Sequence, residues 1–287
     1  MKIFILGATG MLGKALTAQA NIRNFEVIGA ARSGTDISLD IIDCQALESA
    51  VNSVQPQVII NAAALTDPAL CEKDPSQAYL VNARSVGLLS EISRKIGAYL
   101  VQISTDHYFT GDNSARHTES TPVHLVNEYA RTKYAGEKFA LTYHQSLVVR
   151  TNIVGFRHKG ASTFIEWIIN SLENASPMIL FSDYFTSSLH VSQFSSALFD
   201  LLEKKAYGIL NLASRDVFSK RTFIEAIAVR LGYLLANARV GSVLEVSGPL
   251  RAESLGLDVA KVEEILGYKM PTMDEVIECV VAEYREG

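Results

Sequence analysis

The stretch Ile3-Phe4-Ile5-Leu6-Gly7-Ala8-Thr9-Gly10-Met11-Leu12-Gly13 decides the fold. An unbroken apolar run followed by spaced glycines and an amphipathic segment reads as a buried strand, a turn and a helix. Gly7 permits the tight turn, Gly10 lets backbone approach a pyrophosphate, and Gly13 permits close packing of helix on strand. The helix N-terminus then presents unpaired amide donors and a favourable dipole to the phosphates. Gly7, Gly10, Met11, Leu12 and Gly13 are therefore candidate cofactor contacts. The alternative, a turn whose glycines serve sterics alone, is disfavoured by the strand–turn–helix context.

Outward from this stretch, short apolar runs alternate with amphipathic segments, the rhythm of a Rossmann-type doubly wound parallel α/β sheet. Strands are predicted at Lys2–Leu6, Glu26–Ala30, Val58–Asn61, Tyr99–Ser104 and Leu147–Arg150. Helices are predicted at Leu12–Ala20, Gln45–Ser53, Pro75–Lys95 and Glu128–Thr142. The second half is less regular, with helices at Thr163–Leu172, Gln193–Lys204, Arg221–Leu231, Val259–Leu266 and Met273–Tyr284, and strands at Met178–Phe181 and Gly208–Leu212. The expected organisation is a dinucleotide-binding domain over 1–150 and a smaller α/β substrate lobe over 151–287, with segments of the latter returning to the first domain.

NAD-binding folds usually carry an acid roughly 20 residues beyond the glycines, for the ribose hydroxyls. Here the second strand ends Gly29-Ala30-Ala31-Arg32-Ser33, without one. A guanidinium at Arg32 suits a 2′-phosphate, so NADP(H) is expected in preference to NAD(H); a solvated loop arginine is the alternative. Small residues at Ala62, Ala63 and Ala64 close an apolar strand and let a ligand, or a neighbouring helix, lie against the backbone.

Tyr129-Ala130-Arg131-Thr132-Lys133 places a phenol and an ammonium one turn apart on a helix face. A cation there favours phenolate, so Tyr129 can exchange a proton near neutral pH instead of near its free pKa of about 10. Ser104-Thr105-Asp106 closes a buried strand, so its hydroxyls are expected at the carboxyl edge, where one can hydrogen-bond a carbonyl oxygen that Tyr129 protonates.

The chain has 287 residues, is 48% hydrophobic and carries a formal net charge of −5, which argues against a nucleic-acid partner. Its three cysteines, Cys44, Cys71 and Cys279, are widely spaced and read as reduced thiols. The start lacks the pattern of a secretory signal, and no apolar run approaches the roughly 20 residues of a membrane span. A cytoplasmic protein without a membrane partner is expected. The histidines show no metal-ligand spacing, so no metal is inferred.

These segments resemble the extended short-chain dehydrogenase/reductase family, and within it the dTDP-4-dehydrorhamnose reductases. The resemblance runs through Gly7–Gly13, Asp40-Ile41-Ile42-Asp43, Val58–Ala64, Val81-Asn82-Ala83, Ile103–Asp106 and Tyr129–Glu137, with a weaker echo at Pro249–Ser254 and Leu257-Asp258. It implies Thr105, Tyr129 and Lys133 as catalytic hydroxyl, acid/base and lysine. It also implies adenine contacts from Asp40 and Ile41, cofactor contacts from Ala62–Ala64, and a sugar-facing set at Thr66, Asp106 and the loop beyond. The implied reaction is reduction of a keto group on a nucleotide-activated deoxysugar in surface-glycan synthesis.

Two departures bear on the substrate. The family's aromatic after Thr-Asp is His107, which adds a titratable group, and its Trp after Arg-Thr-Ser gives way to Arg150-Thr151-Asn152-Ile153. With Arg251, His107 and Asn152 join the candidate substrate residues, and a related but different sugar nucleotide is expected. An epimerase or dehydratase is the near alternative, although a dehydratase would carry Thr-Asp-Glu where this chain has Thr105-Asp106-His107. A non-catalytic, dinucleotide-binding regulatory subunit is the alternative of a different class. A homodimer is expected by analogy, through helices near Pro75–Lys95 and Glu128–Thr142.

Overall fold

The computed structural model describes residues 1–158, 160 and 162–286. The first of its two compact units comprises Met1–Thr105, Leu125–Arg150 and Ser195–Leu210. Its strands are β1 (Lys2–Leu6), β2 (Glu26–Ala31), β3 (Ile37–Ser38), β4 (Val58–Asn61), β5 (Tyr99–Ile103) and β6 (Ser146–Arg150), joined by a later strand at Gly208–Asn211. They form one sheet in the order Gly208–Asn211, β6, β5, β4, β1, β2, β3. The β1 to β6 neighbours pair parallel. Strands β1, β4 and β6 are almost wholly buried, as sheet strands covered on both faces must be. Chain order reverses between β1 and β4, the switch point outside whose carboxyl ends such sheets bind ligands.

Side-chain caps start most of the helices around this sheet. Asp43 accepts from Gln45 N and Ala46 N to open α2 (Cys44–Val54), and Asp67 with Pro68 opens α3 (Pro68–Lys73). Asp74 with Pro75 opens α4 (Pro75–Tyr79). The glycine turn leads into α1 (Met11–Ile22) with no side-chain cap at Gly10. The single helix expected over Pro75–Lys95 is instead α4, a π-helical turn at Leu80–Arg84 and α5 (Ser85–Ile96), which Gly97 ends in the left-handed region. The widened turn carries Asn82 against α6 (Glu128–Ala140), where a β-carbon on Gly136 would lie 2.2 Å from the Asn82 carbonyl oxygen. The two backbones meet because residue 136 has no side chain.

The second unit comprises Asp106–His124, Thr151–Phe194 and Asn211–Gly287. Its strands Met178–Phe181 and Ala238–Gly241 pair parallel, and a small sheet joins Phe218–Ser219, Phe185–Thr186 and Ser254–Leu255. Helices at Phe164–Glu173, Lys220–Leu231, Ala260–Leu266 and Met273–Glu286 surround them. The two units are not separated by a single cut at Arg150. Residues 106–124 belong to the second unit, where Asp112 N donates to Ser254 Oγ and His117 N to Gly256 O. Residues 195–210 return to the first unit, because the Gly208–Asn211 strand completes its sheet. Among the described residues no helix is long and apolar enough to cross a membrane.

Candidate active site

In the first unit the glycine turn is built by contact. Gly7 adopts φ +80°, and a β-carbon there would stand 2.8 Å from Ala63 N, so the loops after β1 and β4 touch through it. A β-carbon on Gly13 would stand 2.2 Å from Gly7 O, which locks α1 onto the turn. Gly10 has an ordinary extended backbone, and its N–H donates to Gly7 O at 3.0 Å. Met11 and Leu12 are half-buried at the first turn of α1. The uncapped amides of that turn are the donors an anion needs.

Around it, Arg32 lies exposed immediately after β2. Asp40 is exposed, with Oδ1 accepting from Ile42 N at 3.2 Å, and Ile41 is buried. Ala62, Ala63 and Ala64 are half-buried in the loop after β4, where Ala62 N donates to Leu6 O at 3.0 Å. Asn82 holds that loop: Leu65 N donates to its Oδ1 at 2.9 Å, and its Nδ2 donates to Leu65 O at 3.0 Å and Thr132 Oγ1 at 3.2 Å. Its role is therefore to fix the loop that carries Thr66, which is exposed.

Asn127 caps α6 by accepting from Ala130 N at 2.8 Å, and Tyr129 and Lys133 follow on one buried face. Tyr129 packs with Cys71, Ala78 and Leu65. Lys133 Nζ donates to Ile103 O at 2.7 Å, which ties the helix to the end of β5, two residues before buried Thr105. Burial is the largest influence on the Lys133 ammonium and draws its pKa down to about 8, against the opposing pull chiefly of Glu137.

The second unit contains Asp106, His107, Asn152 and Arg251. Asp106 is fully buried; its Oδ2 accepts from Asn152 Nδ2 at 2.9 Å, and Asn152 Oδ1 accepts from Ser188 Oγ at 2.8 Å. His107 Nε2 lies 3.8 Å from Asp106 Oδ1. Burial, and then the charges of Lys220 and Arg251, push the His107 pKa down to about 4. Arg251 is exposed.

The sequence profile of the RmlD substrate binding domain matches residues 1–286. The chain belongs to that family. The dTDP-4-dehydrorhamnose reductase of Aggregatibacter actinomycetemcomitans is 28% identical over 282 residues, covering 93% of each chain. The structure of a dTDP-4-dehydrorhamnose reductase from Bacillus anthracis in complex with NADP superposes with a TM-score of 0.88 at 25% identity, covering 98% of each chain. Methionine adenosyltransferase 2 subunit beta of Rattus norvegicus is 26% identical over 293 residues, 94% of this chain and 84% of that one.

Three features of this family member escaped sequence reasoning. Asp36, an acid in the loop beyond β2, folds back beside that strand, and its Oδ2 accepts from Gly29 N at 2.8 Å. A β-carbon on Gly29 would stand 2.9 Å from Ala8 Cβ and 3.6 Å from that same Oδ2, so the carboxylate lies beside the glycine turn. The spacing rule looks at the strand end, whereas this acid arrives by a short loop that folds back. Lys220 was also missed. Its ammonium lies 4.0 Å from the centre of the Phe164 ring and 5.7 Å from that of Tyr184, and burial lowers its pKa to about 8 while Asp106 pulls it up. A signal existed, because a lysine in the first turn of a helix opposes the helix dipole. Finally, His107 is corrected as a titratable group near pH 7: with its pKa at about 4 it is a neutral imidazole there.

Proposed function

We propose that the chain reduces a keto group on a nucleotide-activated deoxysugar with NADP(H), as a cytoplasmic step in polysaccharide synthesis and as a homodimer. The observation that carries the reading is the bond from Lys133 to Ile103 O, which sets the Tyr129–Lys133 face of α6 against the strand end leading to Thr105. The glycine turn fits a dinucleotide, since Gly7 and Gly13 leave no space for side chains and the first turn of α1 has no side-chain cap.

When bound, NADPH supplies the hydride. The chain's own residues supply the proton and hold the charge. Tyr129 Oη gives its proton to the carbonyl oxygen as that oxygen becomes an alkoxide, and the Thr105 hydroxyl hydrogen-bonds the same oxygen. Lys133 stabilises the tyrosinate left behind and holds the nicotinamide ribose. Arg32 binds the 2′-phosphate, with Asp40, Ile41 and Ala62–Ala64 contacting the rest of the cofactor. Thr66, Asp106, His107, Asn152 and Arg251 are the proposed contacts of the sugar nucleotide. Neutral His107 offers it hydrogen bonds without charge.

Oxidation of NADPH, followed by absorbance across a panel of keto-sugar nucleotides, tests the reading. Turnover that survives Tyr129→Phe unchanged would sink the proton route. The similarity to a methionine adenosyltransferase subunit favours a second reading, a dinucleotide-binding subunit without turnover. That reading expects NADPH binding with no oxidation of any member of the panel.

A further inference from the structure

Beneath the proposed reacting set lies a charged network that the proton route does not use. Glu137 follows Lys133 by one turn on α6 and is fully buried. Its Oε1 accepts from Ser104 Oγ at 2.6 Å and Arg150 Nε at 3.0 Å, and its Oε2 accepts from Arg150 Nη2 at 2.8 Å. Arg150 closes β6 and is buried in turn. Ser104 follows β5, with its backbone N–H donating to Val149 O at 2.7 Å. Three side chains thus bind the ends of two adjacent strands to the helix that bears Tyr129 and Lys133.

A buried ion pair is a weak source of stability, because desolvating both charges offsets much of their attraction. Its placement is more informative than its strength. Lys133 Nζ donates to Ile103 O, Ser104 follows Ile103 in the chain, Ser104 Oγ donates to Glu137, and Glu137 leads back along one helical turn to Lys133. The loop of contacts fixes where the Ile103 carbonyl points and therefore where the ammonium sits. It also places a carboxylate beside an ammonium that has lost its hydration.

We propose that Glu137, held by Ser104 and Arg150, is a positioning residue that keeps Lys133 aimed and charged beneath Tyr129. The inference rests on the role given to Lys133 above. Among the described residues, the titratable groups that act on Lys133 are Glu137 on its own helix and Cys71 on α3, with Arg150 on β6 acting through Glu137 and Tyr129 one turn before it on the same buried face. Burial pushes the Cys71 thiol up to about 11, so it stays neutral through the range in which Lys133 titrates. Glu137 is then the anion that favours the charged lysine.

The test titrates Lys133 Nζ by NMR in lysine-labelled apoprotein, its signal assigned from Lys133→Met, alongside the pH profile of kcat/KM. Glu137→Gln is expected to lower the Lys133 midpoint by about one unit. The basic limb of activity should move down with it, and Glu137→Asp should restore part of both. A merely structural role would reduce the amplitude and leave the limb in place. If Glu137→Gln does not fold, the double variant Glu137→Gln with Arg150→Met removes the guanidinium that would otherwise stay buried without its carboxylate, and should shift the midpoint the same way. A folded variant with an unmoved midpoint overturns the role of Glu137. Because the titration needs no substrate, missing turnover would count against the assigned reaction and not against this network.

Discussion

Replacing Gly13 by alanine adds one methyl carbon where the glycine turn has no room. Its ideal position is 2.2 Å from Gly7 O and 2.6 Å from Ala8 Cα, both backbone atoms that cannot rotate aside. Comfortable contact begins at about 3.5 Å, so turn or helix must retreat by roughly 1 Å. Overpacking of this kind costs about 1–3 kcal/mol of stability. The same displacement carries the amides of α1 away from a phosphate, and every 1.4 kcal/mol lost there is about tenfold in Kd. Gly10→Ala supplies the contrast. Its β-carbon would meet only Gly7 O, at 3.3 Å, and φ −71° with ψ 166° admits alanine. Apoprotein stability should therefore change by no more than about 0.5 kcal/mol. If the backbone at residue 10 lies against pyrophosphate, that methyl meets cofactor alone. NADPH affinity from fluorescence titration, paired with the urea midpoint of the apoprotein, separates the two. Gly13→Ala should lose at least about tenfold in affinity together with stability. Gly10→Ala should lose affinity alone. Wild-type affinity in both variants would refute a phosphate site at the start of α1.

Other consequences are equally direct. Tyr129→Phe should lower turnover by about 10²–10⁴-fold while circular dichroism and NADPH affinity stay near wild type. Arg32→Ala should raise the KM for NADPH by about tenfold and leave that for NADH nearly unchanged; Asp36→Asn, beside the same turn, should weaken NADH more than NADPH, and equal effects on both cofactors would exclude either residue as a discriminator. In the wild type, activity should fall as pH rises through about 8, because Lys133 then loses the proton that supports tyrosinate. His107→Gln should leave the profile between pH 5 and 8 unmoved, since an imidazole with its pKa at about 4 carries no charge there.

The parts of this molecule that were legible in its sequence are those whose geometry is contained in one short segment. A glycine every third residue after an apolar strand has one structural use, and Gly7, Gly10 and Gly13 meet it through contacts of a few ångströms. Tyr129 and Lys133 share a face because helical pitch puts them there, whatever the rest of the chain does. Periodicity likewise located β1, β4 and the helices that cover them, but it read Pro75 to Lys95 as one helix. The π-helical turn at Leu80–Arg84 accompanies the close approach of a second backbone at Gly136, a tertiary cause that no local pattern contains. Asp36 and Lys220 were passed over for a related reason. One reaches β2 by a loop that doubles back, and the other acquires its surroundings from Phe164 and Tyr184, remote in sequence. Thr105 and Asp106, adjacent in the chain, even fall in different units. The proposed proton route and cofactor grip therefore depend on local spacing, which a single sequence displays. The proposed sugar-contact set is assembled from residues 66, 106–107, 152 and 251, with Lys220 acting on Asp106 and His107. Exchanging one of those side chains changes the neighbours of several others, so substrate choice can alter while the glycine turn and the Tyr129–Lys133 face stay as they are.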